Sequence, residues 1–295
     1  MNSLPLHRSL AERAVEALGG ATMLGGDSVV KTSTLAVPGP DSGARQSKHP
    51  TITRKLLIAA RAHSMEAGRS RCSEELSVVQ NQVVRTIRSA QVRAGSNARL
   101  VLVTSARPGE GKSFTSLNLA IAIARAGVLP ALLVDTDIKP RNLTSLLGCL
   151  ESPGLRNLAG QTRLAAVDLV VPTEVERLQF LPCGIVSSSG PDVPPPSGNA
   201  LSSTLLRLAE AFPLHAIVID TPPVLSTSEA SALASAAGQV LMVVQAETTQ
   251  RSEVEAALDM LDSCPMLQLV LNQAHISASD SFGAYGYEAY NQRPD

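Results

Sequence analysis

The sequence has no tryptophan, and aromatic residues make up only 2% of it. Its three tyrosines, Tyr285, Tyr287 and Tyr290, all lie within six residues near the C-terminus. Cysteine is sparse: Cys72, Cys149, Cys183 and Cys264 are scattered, with no C-x-x-C spacing and no nearby Cys/His pair. That pattern argues against a zinc site and fits a reduced, cytosolic compartment. No excess of basic charge exists either. Lys+Arg is 25 against Asp+Glu 26, a net of −1, which disfavours a basic nucleic-acid binder. Long apolar runs are missing: Ser231–Ala246 is uncharged but contains Gly238 and Gln239, and it falls short of the roughly 18 residues of a spanning helix. Met1–Leu18 carries His7, Arg8, Glu12, Arg13 and Glu16, which is unlike a signal peptide. Any membrane role is expected to be peripheral or through a partner.

What is present suits a folded core. Hydrophobic residues make up 44% and charged residues 17%, so wholesale disorder is not expected. Residues 1–70 hold nine basic and five acidic residues, and 71–295 hold sixteen and twenty-one. A solvated tail is the plain explanation of that basic leader. Three regions are expected: an N-terminal helix (5–18) and flexible linker over 1–70, the main folded domain over 71–280, and a tail over 281–295.

From residue 99 onward, short apolar runs alternate with helical segments. Strands are expected at Arg99–Thr104, Ala131–Val134, Leu178–Pro182, Ala216–Ile219, Val240–Val244 and Leu267–Leu271, with a weaker one at Asp168–Val171. A helical stretch is expected to resume from about 53 and pause near Gly68, and helices are expected at Ser73–Val92, Lys112–Ala126, Leu201–Phe212, Ser228–Ala237 and Glu253–Leu261. This order implies an α/β fold with a mostly parallel sheet covered on both faces. In such sheets ligands sit at the carboxyl ends of the strands.

Three motifs lie at those ends. Ala106-Arg107-Pro108-Gly109-Glu110-Gly111-Lys112-Ser113 follows the first strand and opens a helix. It matches (Ala/Gly)-x-x-x-x-Gly-Lys-(Ser/Thr), a loop whose amides hold phosphate, whose lysine meets the β/γ-phosphates and whose hydroxyl ligates Mg2+. The second strand ends in Asp135-Thr136-Asp137, and another in Asp220-Thr221-Pro222-Pro223. Carboxylates closing buried strands need a counter-charge, and beside a phosphate loop Mg2+ is the natural one. On an extended chain Asp135 and Asp137 would share one side, one serving the metal and the other as proton acceptor. Taken singly, each could equally be a helix-capping aspartate.

These motifs in this order, with the tyrosine cluster, resemble the bacterial tyrosine autokinases of polysaccharide export. The likeness covers about residues 71–290, and HRSLAERAVEAL near the N-terminus is similar to the leader of the stand-alone, exosortase-associated members. The resemblance implies a P-loop NTPase-type kinase that transfers the γ-phosphoryl of ATP to tail tyrosines, its own or a neighbour's, and so regulates exopolysaccharide synthesis and export. It implies nucleotide contacts from Gly109, Glu110, Gly111, Lys112, Ser113 and Phe114. Metal support falls to Ser113, Asp137 and Asp220, and Asp135 takes the tyrosine proton. Asn272 is a candidate adenine contact, with a turn asparagine the equal alternative. Tyr285, Tyr287 and Tyr290 are the acceptors. The implied partners are a transmembrane co-polymerase or activator that recruits the protein to the inner face of the membrane, further copies of the chain, and a phosphotyrosine phosphatase. Nucleic acid is not expected.

Two departures stand out. The family places Arg before the proline of its second motif, where this chain has Lys139, so charge survives without bidentate geometry. The family's Glu-x-x-Arg-x-x-Arg oligomerisation helix is here Gln82-x-x-Arg85-x-x-Arg88. The main rival is an ATPase of the partitioning and division-site type, although Arg107-Pro108-Gly109 replaces its Lys-Gly-Gly. A non-catalytic nucleotide sensor attached to a polysaccharide synthase ranks third.

Overall fold

The computed structural model describes residues 50–65, 71–90, 97–161, 163–185 and 196–274. The expected helix at 5–18, much of the Ser187–Gly198 loop and all three tyrosines lie outside the described residues.

Seven strands form one sheet: β1 (Leu100–Ser105), β2 (Ala131–Asp135), β3 (Val171–Pro172), β4 (Leu178–Leu181), β5 (Ala216–Asp220), β6 (Gln239–Gln245) and β7 (Leu267–Asn272). Their spatial order is β3-β4-β2-β5-β1-β6-β7. Every pairing is parallel except β3 with β4. The helices are α1 (Arg54–Ala59), α2 (Arg71–Ala90), α3 (Lys112–Arg125), α4 (Leu143–Leu146), α5 (Leu155–Gly160), α6 (Gly198–Ala211), α7 (Ser228–Ala234) and α8 (Arg251–Asp259).

Alternate strand residues feed two cores, as the period of two requires. On one face Val101, Val103, Leu133 and Val218 meet Ile87 of α2 and Leu117 and Ile121 of α3. On the other, Leu102, Leu132, Ile217 and Met242 meet Leu158, Leu205, Leu233 and Ala257 from α5, α6, α7 and α8. All of β1, β2 and β5 is buried, which explains why these strands read as continuous apolar runs.

The body begins upstream of residue 71. Ile52, Leu57, Ala60, Ala62 and Met65 belong to the first core, and Ile52 bridges Thr173. The Thr53 hydroxyl caps α1 by accepting from the Leu56 N–H. Residues 50–65 are therefore packed, with α1 where a helical stretch was expected to resume near 53. The weak strand at Asp168–Val171 is instead a 3-10 turn, Ala166–Asp168, followed by the two-residue β3. No helix among the described residues is long and apolar enough to cross a membrane.

Candidate functional site

The loop between β1 and α3 takes its shape from two glycines. Gly109 has φ +91° and Gly111 φ +98°, a region closed to most side chains. Ala106, in the position that more often holds glycine, is buried and is not among the positive-φ residues, so a methyl group is tolerated there.

Side chains from distant elements pin the loop. Asn272, the last residue of β7, donates from Nδ2 to the Glu110 carbonyl at 2.8 Å. Gln273 donates from Nε2 to the Gly109 carbonyl at 3.1 Å. A trans peptide sets its N–H opposite its carbonyl. Pulling these two carbonyls toward the end of β7 therefore aims the amides of Glu110 and Gly111 the other way. This is the task the structure gives Asn272, whose amide is engaged with the loop backbone.

The Glu110 side chain is buried and acts structurally. Its carboxylate accepts from the Arg107 N–H at 2.6 Å and from the Thr249 hydroxyl. Only its backbone is left for a nucleotide. The Arg107 guanidinium pairs with Glu253 of α8 at 3.2 Å. Phe114 is half-buried, and its ring meets His63 edge-on with centroids 5.3 Å apart.

The carboxylates converge on the same edge. Asp135 and Asp220 are register partners across β2 and β5. Thr136 ties the two strand ends together, its N–H and hydroxyl both donating to the Asp220 carbonyl at 2.9 and 2.8 Å. Lys112 Nζ donates to Asp137 Oδ2 at 3.0 Å and lies 3.3 Å from Ser113 Oγ. Asp220 Oδ1 accepts from Ser116 Oγ at 3.1 Å, while its Oδ2 is buried without a partner.

Asp135 differs from the sequence expectation. The strand ends at Asp135, so strand alternation does not extend to Asp137, and the two side chains have separate partners. Asp135 is fully buried; Oδ2 accepts from the Thr144 N–H and hydroxyl at 2.7 and 2.6 Å, and Oδ1 accepts from the Asp137 N–H at 3.0 Å. Thr144, Ser116, Gln273 and Thr249 are site residues that the motifs did not reveal. Only Ser116 had a sequence signal, one turn along the helix from Ser113.

Electrostatics follow from this crowding. Burial, then repulsion from Asp220, raises Asp135 to about 7. Burial raises Asp220 to about 6, opposed by Lys112. For Lys112, burial disfavours the ammonium, but Asp220 and Asp137 outweigh it and the net shift is upward. Three buried carboxylates thus face one half-buried lysine.

A divalent cation fits this donor set. The unpartnered Asp220 Oδ2 and the nearby Ser113 hydroxyl are hard oxygen donors. No group of three or more His, Cys, Asp or Glu side chains capable of holding a metal occurs among the described residues, so the rest of its shell falls to nucleotide and water.

The ParA family model, described as NUBPL iron-transfer P-loop NTPase, matches residues 96–285. The tyrosine-protein kinase CpsD of Streptococcus agalactiae is 32% identical over 201 residues, covering 65% of this chain and 82% of that protein. The chain is a ParA-type P-loop NTPase of the bacterial tyrosine-protein kinase family. The tyrosine-protein kinase wzc of Salmonella typhimurium is 28% identical over 226 residues, covering 72% of this chain but only 29% of that longer protein. The chimerical protein CapA2B2 has the same fold, with a TM-score of 0.58 at 24% identity, over 77% of this chain and 96% of that one. Membership of this P-loop NTPase family implies nucleotide binding with a divalent metal.

Proposed function

We propose that the chain is an ATP- and Mg2+-dependent tyrosine autokinase that phosphorylates Tyr285, Tyr287 and Tyr290 of its own tail or of a neighbouring copy. The observation that carries this reading is the excess of buried carboxylate over cation beside a phosphate loop. Phosphoryl transfer requires positioning and charge neutralisation rather than covalent chemistry. Mg2+ would neutralise charge developing on the phosphates and leaving oxygen, held by Ser113 and Asp220 and supported by Asp137.

The loop amides of Glu110 and Gly111 hold phosphate oxygens. Lys112, now on Asp137, turns to the β/γ-phosphates when nucleotide arrives. A tyrosine hydroxyl has pKa ~10, so a carboxylate that binds protons near neutrality helps as its proton leaves. Asp135 has that affinity, raised to about 7. Its oxygens are hydrogen-bonded to Thr144 and Asp137 in the nucleotide-free chain, and a catalytic hydrogen bond often forms fully only in the reactive complex. Adding phosphates gives the tail a large negative charge, able to disperse a charge-sensitive assembly. The expected setting is exopolysaccharide synthesis and export. A transmembrane co-polymerase recruits the kinase to the inner face of the membrane, and a phosphotyrosine phosphatase resets it.

The test is mass spectrometry of the C-terminal peptide from protein made in a host lacking other tyrosine kinases. Multiples of phosphate are expected, and they should vanish in Lys112→Ala and in Asp135→Ala. Replacing all three tyrosines by Phe should leave nucleotide binding intact. Rapid phosphate release with an unmodified tail would favour the partitioning-type ATPase. The Arg107–Glu253 pair within one chain speaks against that alternative, because it occupies the residue that would imitate a lysine reaching across a dimer.

A further inference from the structure

Arg156 lies in the first turn of α5, far from all three motifs in sequence. Its side chain is 4% exposed and its Nη2 donates to Glu229 of α7 at 2.9 Å. The same nitrogen donates to the Thr136 carbonyl at 3.3 Å, and Nε is buried with no partner. Burying an arginine and most of a glutamate is a weak route to stability, because desolvation offsets the attraction. Where the pair sits suggests another reason for it.

Thr136 stands between Asp135 and Asp137. Its N–H and hydroxyl are fixed on the Asp220 carbonyl. Arg156 takes its remaining backbone group, the carbonyl. That carbonyl belongs to the peptide whose nitrogen is Asp137, so Arg156 sets the plane from which the Asp137 side chain departs toward Lys112. Glu229 fixes the guanidinium from the helix that follows the Asp220 loop. One ion pair thereby links the two carboxylate-bearing segments through the Thr136–Asp137 peptide.

We propose that Arg156, oriented by Glu229, is a positioning residue for phosphoryl transfer, acting through the Thr136–Asp137 peptide. The proposal rests on the kinase reading above. It separates two quantities: nucleotide binding depends on the loop amides and Lys112, whereas transfer depends on where Asp137 and its neighbours stand.

The test uses the full chain with Arg156→Met, Arg156→Lys and Glu229→Gln. For each, the rate of tail phosphorylation at saturating ATP and Mg2+, the affinity for ADP with Mg2+, and the melting temperature are measured. An ångström-scale misplacement costs about 100-fold in rate, so Arg156→Met should lose about that much in kcat with less than about a threefold change in nucleotide affinity. Arg156→Lys, which keeps the charge, should recover part of the rate. Unchanged kcat in Arg156→Met overturns the proposal, as does a loss of rate matched by equal losses of affinity and folded fraction. Should Arg156→Met fail to fold, Glu229→Gln decides, because it alters the more exposed end of the pair. If the wild type leaves its tail unmodified, the kinase reading fails instead, and the same split is read on phosphate release.

Discussion

Replacing Asp220 by Asn should stabilise the metal-free protein while removing its activity. Asp220 is fully buried and its proton affinity is raised from the ordinary 3.8 to about 6, chiefly by burial. Between those two values the folded chain keeps a proton that the unfolded chain has released. The folded state then binds more protons, so stability falls as pH rises through this window and levels off above about 6. At roughly 1.4 kcal/mol per pH unit, the full loss is about 3 kcal/mol. Asparagine avoids it. Its carbonyl can keep the bond from Ser116, and its amide stands where Oδ2 has no partner. Repulsion on Asp135 is relieved as well. The assay is thermal unfolding of both proteins in EDTA from pH 4 to pH 8. The two melting temperatures should nearly coincide at the acid end, with the variant ahead at pH 8 by several degrees, at about 2–4 °C per kcal/mol for a domain of this size. With Mg2+ and a non-hydrolysable ATP analogue the order should reverse, since only the wild type gains ligand stabilisation in full. A folded variant that melts at or below the wild type in EDTA at pH 8 would refute the reasoning.

Three further outcomes are expected. In Gly111→Ala the new Cβ would lie 2.0 Å from Asn272 Nδ2, at φ +98°; this should cost about 1–3 kcal/mol of stability and weaken nucleotide binding in calorimetry. Adding Asn272→Ala should restore only part, because the backbone strain remains. Removing residues 1–70 should lower the melting temperature sharply, because Ile52, Leu57 and Met65 leave the core. Leu57→Ala alone should cost about 2–5 kcal/mol in denaturant unfolding, the usual result of truncating a fully buried leucine.

The parallel sheet was legible because its central strands are buried on both faces. Arg99–Thr104 and Ala131–Val134 stand within a residue of β1 and β2 at each end. The phosphate loop and its helix were equally plain, since a glycine pair before Lys-Ser serves few other purposes. Short elements were not. α4 has four residues and α5 six, too few for a 3.6-residue period to emerge. The helix resuming near 53 was legible, but not that Ile52 and Leu57 pack it into the core, because a six-residue helix shows too few apolar positions to define a buried face. The site was legible as far as its motifs extend. Beyond them, Thr144 and Arg156 act on Asp135 and Thr136 from separate helices, and such contacts leave no spacing in the sequence. Asp135 shows the limit within a motif: its place at a strand end was clear, but its three hydrogen bonds came from Thr144 and a backbone turn.

The same contacts explain why nucleotide and metal should enter together. The Gly109 and Glu110 carbonyls accept from Gln273 and Asn272, so the following amides are held ready for an anion before any arrives. Yet the ground beneath them is negative, with Asp135, Asp137 and Asp220 set against Lys112. A triphosphate alone would add charge of the sign already in excess. In water such repulsion is weak, but in a buried site it is several-fold stronger. In the empty state the raised proton affinities of Asp135 and Asp220 lessen it by partial protonation as pH falls toward 6. A divalent cation removes that need, and the carboxylates can then ionise. The aspartate proposed to accept the tyrosine proton is thus unprotonated, and so available as an acceptor, when the metal and the phosphoryl donor are both in place, which couples the readiness of the acceptor to the presence of the donor.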